Sequence, residues 1–414
     1  MNILVVSEFR WTKGVVYDLH VIAEGLAVRG HTVIGFDPGT RIEWPDPTGK
    51  VSRLNLTKGK VNFISPRLLI PPKFFVLPRR LSFLVEQIFY QYIRKNWIKA
   101  IFHTHKIDLI LLYSGHRLGP MTVRIAKKYN IPVVFRSIDK LYKLTDNKLL
   151  QFVYKYREFN TYRQSNYFLC LTPSYQDYIC DLGARRTNSE IVPFPIDVNL
   201  FKPMKRNHYL AKDVPRFVRE FIFTNPKLPL ITFMGNFYTF GGLPELLKEV
   251  KVKLNEGERF RLLLIGDGPA RVIIDNLISE LDLSKNVLVT GILPFKLMPS
   301  LISKSDVCIN VWPSSSQTKD LFSAKIIQYL ACGIPVVSSS LMGITKAIDS
   351  TASGVQFKDS IVEVLTRAIE ISKDKKLRKQ LSLKGRKYIL KKHSIRNVIN
   401  QVEDALTFVR QYHR

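Results

Sequence analysis

The segment from Asp320 to Pro335 carries a lysine and a primary amide within the first turns of one short expected helix. Ser323 stands where an N-cap belongs, Gly333 fits the position just past the helix, and Pro335 stops it. Lys325 falls in the first turn and Gln328 three residues on, so both project from one face. A helix N-terminus with an added lysine favours a diphosphate, because backbone N–H groups, the helix dipole and the ammonium act on the same anion. Gln328 can then hydrogen-bond ribose hydroxyls. The competing reading is a surface helix with an ordinary exposed lysine and glutamine.

Three glycine turns precede this helix. Phe233-Met234-Gly235-Asn236-Phe237 and Leu263-Leu264-Ile265-Gly266-Asp267-Gly268-Pro269 each run from an apolar strand into a turn and then a helix. Glycine at a strand's carboxyl end lets backbone N–H groups come close to a phosphate, although a plain tight turn has the same composition. The second turn is not a dinucleotide fingerprint, since Arg271 stands where the third glycine would come. In Val289-Thr290-Gly291-Ile292-Leu293 a flat apolar turn around Ile292 can read a nucleotide base.

These residues need a scaffold that brings strand ends together, and the apolar patterning supplies one. Ile3–Val6, a helical stripe from Val15 to Ala27, and Thr32–Phe36 form a parallel βαβ unit. The alternation continues through strands at Asp108–Tyr113, Pro132–Phe135 and Tyr167–Leu171. A polar, basic stretch up to Pro226 reads as a linker. A second series then places strands at Leu230–Met234, Arg261–Ile265, Val287–Thr290, Val307–Val311 and Pro335–Ser338. The expected class is α/β, with two Rossmann-like doubly wound domains facing each other across a cleft. Domain one covers 1–205, the linker 206–226 and domain two 227–393; the last helix, 394–414, returns to domain one.

The chain of 414 residues carries a formal net charge of +29. Residues 51–150 hold 19 Lys/Arg against 4 Asp/Glu, a field that attracts nucleic acid, anionic lipid or a phosphorylated substrate. Within Phe74–Lys106, Leu81, Leu84, Ile88, Tyr92 and Trp97 form an apolar stripe flanked by arginines and lysines. That pattern suits an anionic membrane surface, or a core helix with a solvated basic face. No nucleic-acid-binding module is recognisable, so no nucleic acid partner is expected. The start of the chain does not read as a secretory signal, and the four cysteines show no metal-binding spacing. Free thiols, no bound metal, and a cytoplasmic protein peripheral to the inner face of a membrane are the corresponding expectations.

The second half resembles the donor domain of retaining glycosyltransferases of the GT-B fold, family 4 (group 1) type. The likeness rests on the Gly235 turn, Leu264-Ile265-Gly266-Asp267-Gly268-Pro269, Val287 to Leu293, and Tyr329-Leu330-Ala331-Cys332-Gly333-Ile334-Pro335 in order. The first half is similar to the matching acceptor domain through Arg29-Gly30-His31-Thr32-Val33, Asn130-Ile131-Pro132-Val133-Val134 and Leu171-Thr172-Pro173-Ser174. The resemblance implies transfer of a sugar from a nucleotide-diphosphate sugar to a lipid-linked or glycan acceptor, with retention and without a cofactor, in cell-surface polysaccharide or glycoconjugate biosynthesis. It assigns Gly235, Asn236, Gly266, Ile292, Ser323, Lys325 and Gln328 to the donor and Gly14, His116 and Asp139 to the acceptor side. Lys325 and Asp139 are the catalytic candidates. Asp139 follows Phe135-Arg136-Ser137-Ile138 where the family often has His-Asp; it either orients an acceptor hydroxyl or caps the turn. His116 in Ser114-Gly115-His116-Arg117 is likewise a site group or a structural one.

The sequence also departs from the family. The two glutamates of the donor helix are here Asp320 and Gln328. The Arg after the first glycine is Asn236, and the next loop, Thr239-Phe240-Gly241-Gly242, has no Lys. Lys325, alone or with an arginine from elsewhere in the chain, is then expected to carry charge that the family spreads over several residues. Two other readings share the fold: an idle protein that binds nucleotide sugar or lipid beside an active partner, and a nucleotide-sugar 2-epimerase.

Overall fold

The computed structural model describes residues 1–7, 18–36, 61–64, 95–140, 142, 147–205, 210, 212–315 and 318–412, which form two parallel sheets in two compact units. The first unit comprises Met1–Pro195 with Ile395–Arg414, and the second Ile196–Ser394.

In the first unit β1 (Asn2–Val6), β2 (Thr32–Phe36), β3 (Asn62–Ile64), β4 (Leu109–Leu112), β5 (Val133–Ser137), β6 (Tyr167–Cys170) and β7 (Ser189–Ile191) lie in the order β3-β2-β1-β4-β5-β6-β7. Every pairing is parallel. Helices α1 (Asp18–Val28), α2 (95–105), α3 (Gly119–Lys128), α4 (Lys148–Tyr162) and α5 (Pro173–Asp181) flank the sheet. Strands covered on both faces must be apolar throughout, and β1 shows how such a run divides. Leu4 and Val6 enter the core beneath α2, α3 and α5, while Ile3 and Val5 enter the one beneath α1 and the last helix.

The second unit repeats the scheme. It contains α6 (Arg216–Thr224), β8 (Leu230–Met234), α7 (Leu243–Asn255), β9 (Arg261–Ile265), α8 (Arg271–Glu280), β10 (Val287–Val289), α9 (Met298–Ile302) and β11 (Val307–Asn310). There follow α10 (Ala324–Ala331), β12 (Val336–Ser339), α11 (Met342–Thr345), α12 (Ser350–Ser353), β13 (Gln356–Lys358), α13 (Ile361–Lys373) and α14 (Lys375–Lys392). The sheet order is β10-β9-β8-β11-β12-β13, so strand order reverses between β8 and β11 as it does between β1 and β4. At such a reversal neighbouring crossovers leave to opposite faces and a crevice opens at the carboxyl ends.

The boundary differs from the expected one. The second unit begins at Ile196, and the stretch read as a linker, 206–226, contains α6, whose Val218 and Ile222 are buried. The polar face of that helix, with Arg216 and Glu220 paired across one turn, hid its apolar side. Helix α15 (Ile395–Tyr412) belongs to the first unit, packing Val398, Val402 and Leu406 into the core beneath α1. Residues 74–94 of the basic segment Phe74–Lys106 lie outside the described residues. The described part, α2, turns Ile98, Ile101 and Phe102 into the core. None of the helices among the described residues is long and apolar enough to cross a membrane.

Candidate functional site

The crevice of the second unit is built from the ends of β8 and β11. The backbone leaves β8 through Gly235 at φ +147°, and Gly266, at φ +139°, ends β9 beside it. The two turns touch: Gly235 donates its N–H to Ile265 O at 2.9 Å, and a Cβ on Gly266 would stand 2.0 Å from Gly235 O. No side chain fits at Gly266, so only glycine lets the two turns pack this closely.

Helix α10 presents its N-terminus to the same edge. Buried Tyr329 fixes it there, accepting the Met234 N–H at 2.7 Å through its hydroxyl and so tying the helix to the last residue of β8. Ser323 holds the N-cap position in extended geometry, but its side chain does not cap, contrary to expectation. Its hydroxyl donates instead to Asn310 Oδ1 at 2.7 Å. Elsewhere Asn147, Thr172, Ser360 and Asp374 all cap their helices in the ordinary way. The difference at α10 has a physical cause. Fully buried Asn310 gathers Ser323 and the Trp312 indole on its oxygen and gives its own N–H to Ser338 Oγ, leaving the first turn of α10 without a side-chain cap.

Lys325 rises from that first turn. Its Nζ lies 4.1 Å from the centre of the Phe233 ring and 5.4 Å from that of Trp312. The residue is half-buried, but its ammonium is desolvated, and burial lowers its pKa to about 7. Ring faces offset part of that cost, and no carboxylate of the described residues pairs with the ammonium. An anion placed beside Nζ would restore its charge, a unit pair at 4 Å being worth about 4 kcal/mol at an effective dielectric constant of about 20.

The remaining donor candidates are dispersed. Gln328 is half-buried one turn further along α10, and its amide makes no hydrogen bond among the described residues. Asn236 is exposed and donates to the Tyr238 hydroxyl at 3.1 Å. Ile292 is 83% exposed at the end of β10, two strands from β8. Sequence reasoning missed three neighbours. Tyr238 and Phe240 stack at 5.0 Å, and Phe240 stacks on Trp312 at 6.1 Å, so an aromatic wall occupies the loop where cations were expected. A dense run of aromatics around glycines was the available signal.

In the first unit Asp139 is half-buried beyond β5 and accepts the Lys140 backbone N–H at 2.8 Å. His116 is buried after β4 with its ring 4.2 Å from that of Tyr154, and Glu158 Oε1 lies 3.9 Å from its Nδ1. Burial, then Arg117 and Arg157, lower its pKa to about 4, so it is neutral near pH 7. Gly14 lies outside the described residues. The sequence also gave no hint of a buried ion pair: Arg136, on β5, donates to Asp18 Oδ2 through Nε at 3.0 Å and Nη2 at 2.8 Å, and to Val192 O at 2.6 Å. The four cysteines are free, and burial raises the Cys170 and Cys332 thiols to about 12, so neither is a ready nucleophile. Among the described residues, no group of three or more His, Cys, Asp or Glu could hold a metal ion.

Two family models match the chain in tandem: Glycosyltransferase Family 4 over residues 12–200, and Glycosyl transferases group 1 over residues 216–388. The chain belongs to the group 1 glycosyltransferases of the GT-B fold. It is 22% identical to the 2-deoxystreptamine glucosyltransferase of Streptomyces kanamyceticus over 190 residues, 46% of each protein. With the alpha-monoglucosyldiacylglycerol synthase of Acholeplasma laidlawii it shares 21% identity over 338 residues, 78% of this chain and 76% of that one. The chain spans about half the length of the first of these relatives. In fold it is similar to Anabaena Alr3699/HepE, solved in complex with UDP, at a TM-score of 0.70 and 14% identity over 98% of this chain and 100% of that one. Membership of this group accounts for the two doubly wound units, and it makes the crevice at β8 and β11 the donor candidate.

Proposed function

We infer that the protein transfers a sugar from a nucleoside-diphosphate sugar to a lipid-linked or glycan acceptor, in the making of a cell-surface polysaccharide or glycoconjugate. The observation that carries this reading is the desolvated ammonium of Lys325, with no carboxylate partner among the described residues, beside Gly235 and the first turn of α10 that no side chain caps. Backbone N–H groups, the helix dipole and Lys325 would together stabilise the departing diphosphate. Gln328 would hold ribose hydroxyls. Neighbouring strands lie about 4.8 Å apart, so the end of β10 is about 10 Å from that of β8, a separation suited to a base on Ile292 and phosphates at Gly235. Asp139 is the candidate to orient the acceptor hydroxyl, with His116 and Gly14 on the same side. The UDP held by the Anabaena protein supports a nucleotide donor, and the diacylglycerol in the name of the Acholeplasma relative supports a lipid acceptor. Retention of configuration follows the family pattern, and a place on the inner face of the membrane fits the basic field of residues 51–150.

The test is a panel of nucleotide sugars incubated with native membrane lipids, reading nucleotide release and a labelled lipid product. Release that depends on added lipid supports the reading. Measurable nucleotide-sugar binding without release or transfer across the panel would favour an idle binding protein, a reading encouraged by Asn236 in place of the family's cation.

A further inference from the structure

Helix α4 buries Tyr162 in the core, with Phe159 packed against it, yet presents a second apolar side to water. The side turned to the rest of the unit carries Tyr154, Arg157, Glu158 and Thr161, at positions i, i+3, i+4 and i+7. Glu158 and Thr161 are buried, and the Tyr178 hydroxyl donates to Glu158. The outward side carries Leu149, Phe152, Val153 and Tyr156 at the same spacing, and Leu149, Phe152 and Tyr156 are 72%, 71% and 60% exposed. A contiguous apolar stripe of this kind on the surface marks a face that meets something other than water.

The charge around the stripe selects the occupant. Lys148 and Lys155 stand exposed on the same two and a half turns, and Arg117 is exposed on the adjoining loop. The only acid of α4 is Glu158, which faces inward. Apolar residues rimmed by lysines, with no outward carboxylate, fit anionic lipid headgroups over an acyl layer. We propose that the outward stripe of α4 is a docking surface for an anionic lipid bilayer.

Its position gives the contact a consequence. A crossover helix begins at the carboxyl end of the strand before it, so the apolar first turns of α4 lie at the end of the unit where Asp139 and the 114–117 loop are found. Helix α4 also holds that loop directly. Arg157 Nε donates to His116 O at 2.5 Å, Arg157 Nη2 to Arg117 O at 3.1 Å, and Thr161 Oγ1 to Gly115 O at 2.7 Å. A bilayer seated on the stripe would bring its headgroup layer to the proposed acceptor side. The inference thus deepens the lipid-acceptor reading and rests on it for its meaning, while its test is independent of turnover.

The experiment is flotation of the full chain with phosphatidylcholine vesicles, with and without about one-third phosphatidylglycerol. Wild type and the doubly substituted Leu149→Ser, Phe152→Ser protein are compared, with thermal unfolding and UDP titration run on both. The expected result is flotation that needs phosphatidylglycerol and falls about tenfold or more in the variant, with unfolding and UDP binding unchanged. Equal flotation of the two proteins, or flotation indifferent to phosphatidylglycerol, overturns the proposal. So does a wild-type dimer in vesicle-free buffer that the variant converts to a monomer, which would assign the stripe to a second copy of the chain. Absence of UDP binding from both proteins would count against the donor reading alone, with flotation still deciding this one.

Discussion

A Cβ on Gly235 would stand 2.8 Å from Lys325 Nζ, so the open backbone at the end of β8 and the ammonium of α10 occupy one small volume. The site depends on that absent side chain. Gly235 is expected to tolerate no substitution without moving the lysine.

Gly235→Ala meets both the contact with Lys325 and an unfavourable φ of +147°. The expected cost is about 1–3 kcal/mol of stability, with a fall in kcat/KM of about a hundredfold as the ammonium is displaced. Chemical denaturation and steady-state rates measure the two effects separately.

Donor binding should depend on pH through Lys325. Its pKa is about 7 in the empty protein, and a diphosphate beside it raises that value, so binding takes up a proton between the two pKa values. Affinity for a nucleoside diphosphate is expected to weaken as pH rises above about 7, by up to about tenfold per pH unit. Titration calorimetry in buffers of different ionisation enthalpy reads the proton uptake. Lys325→Met should remove that component and leave the phosphate's own titration.

Asn310 is the hub of the crevice floor, because three side chains converge on it. Asn310→Leu leaves Ser338, Trp312 and Ser323 without their partner and should cost about 2–4 kcal/mol. Ser323→Ala removes one donor and no helix cap, and about 1 kcal/mol is expected. Chemical denaturation of the two variants gives the order. A larger loss for Ser323→Ala would mean that its hydroxyl caps α10 after all.

The Asp18–Arg136 pair joins α1 to β5 with almost no exposed surface. Removing one partner strands a buried charge, so Asp18→Asn or Arg136→Met should each cost about 3–5 kcal/mol. Replacing both by apolar residues should recover much of that loss, as a double-mutant cycle of unfolding free energies would register.

Much of the fold was legible because a strand buried on both faces must be a short apolar run, and β1, β8, β9 and β11 are such runs. The glycine turns and Lys325 were legible for a related reason: few residue types suit a strand end that meets a helix N-terminus. Asn310 was not, because a single polar residue in Val-Cys-Ile-Asn does not announce partners 13 and 28 residues away. Asp18 and Arg136 are 118 residues apart and meet only through the sheet order. The reading of 206–226 as a linker had a local cause, since the charges of α6 masked Val218 and Ile222. Helix α4 hid in a different way, with apolar residues on its outward side as well as on the side that buries Tyr162.

The central claim is that Lys325 and the first turn of α10 hold the diphosphate of a nucleotide donor. Its most direct measurement is calorimetric titration of UDP, GDP, ADP and TDP into wild type and Lys325→Ala at pH 6.5, about half a unit below the lysine's own pKa. Saturable binding of at least one diphosphate to wild type is predicted, weakened about thirtyfold or more in Lys325→Ala with unfolding unchanged. Equal affinity in the two proteins would contradict the account.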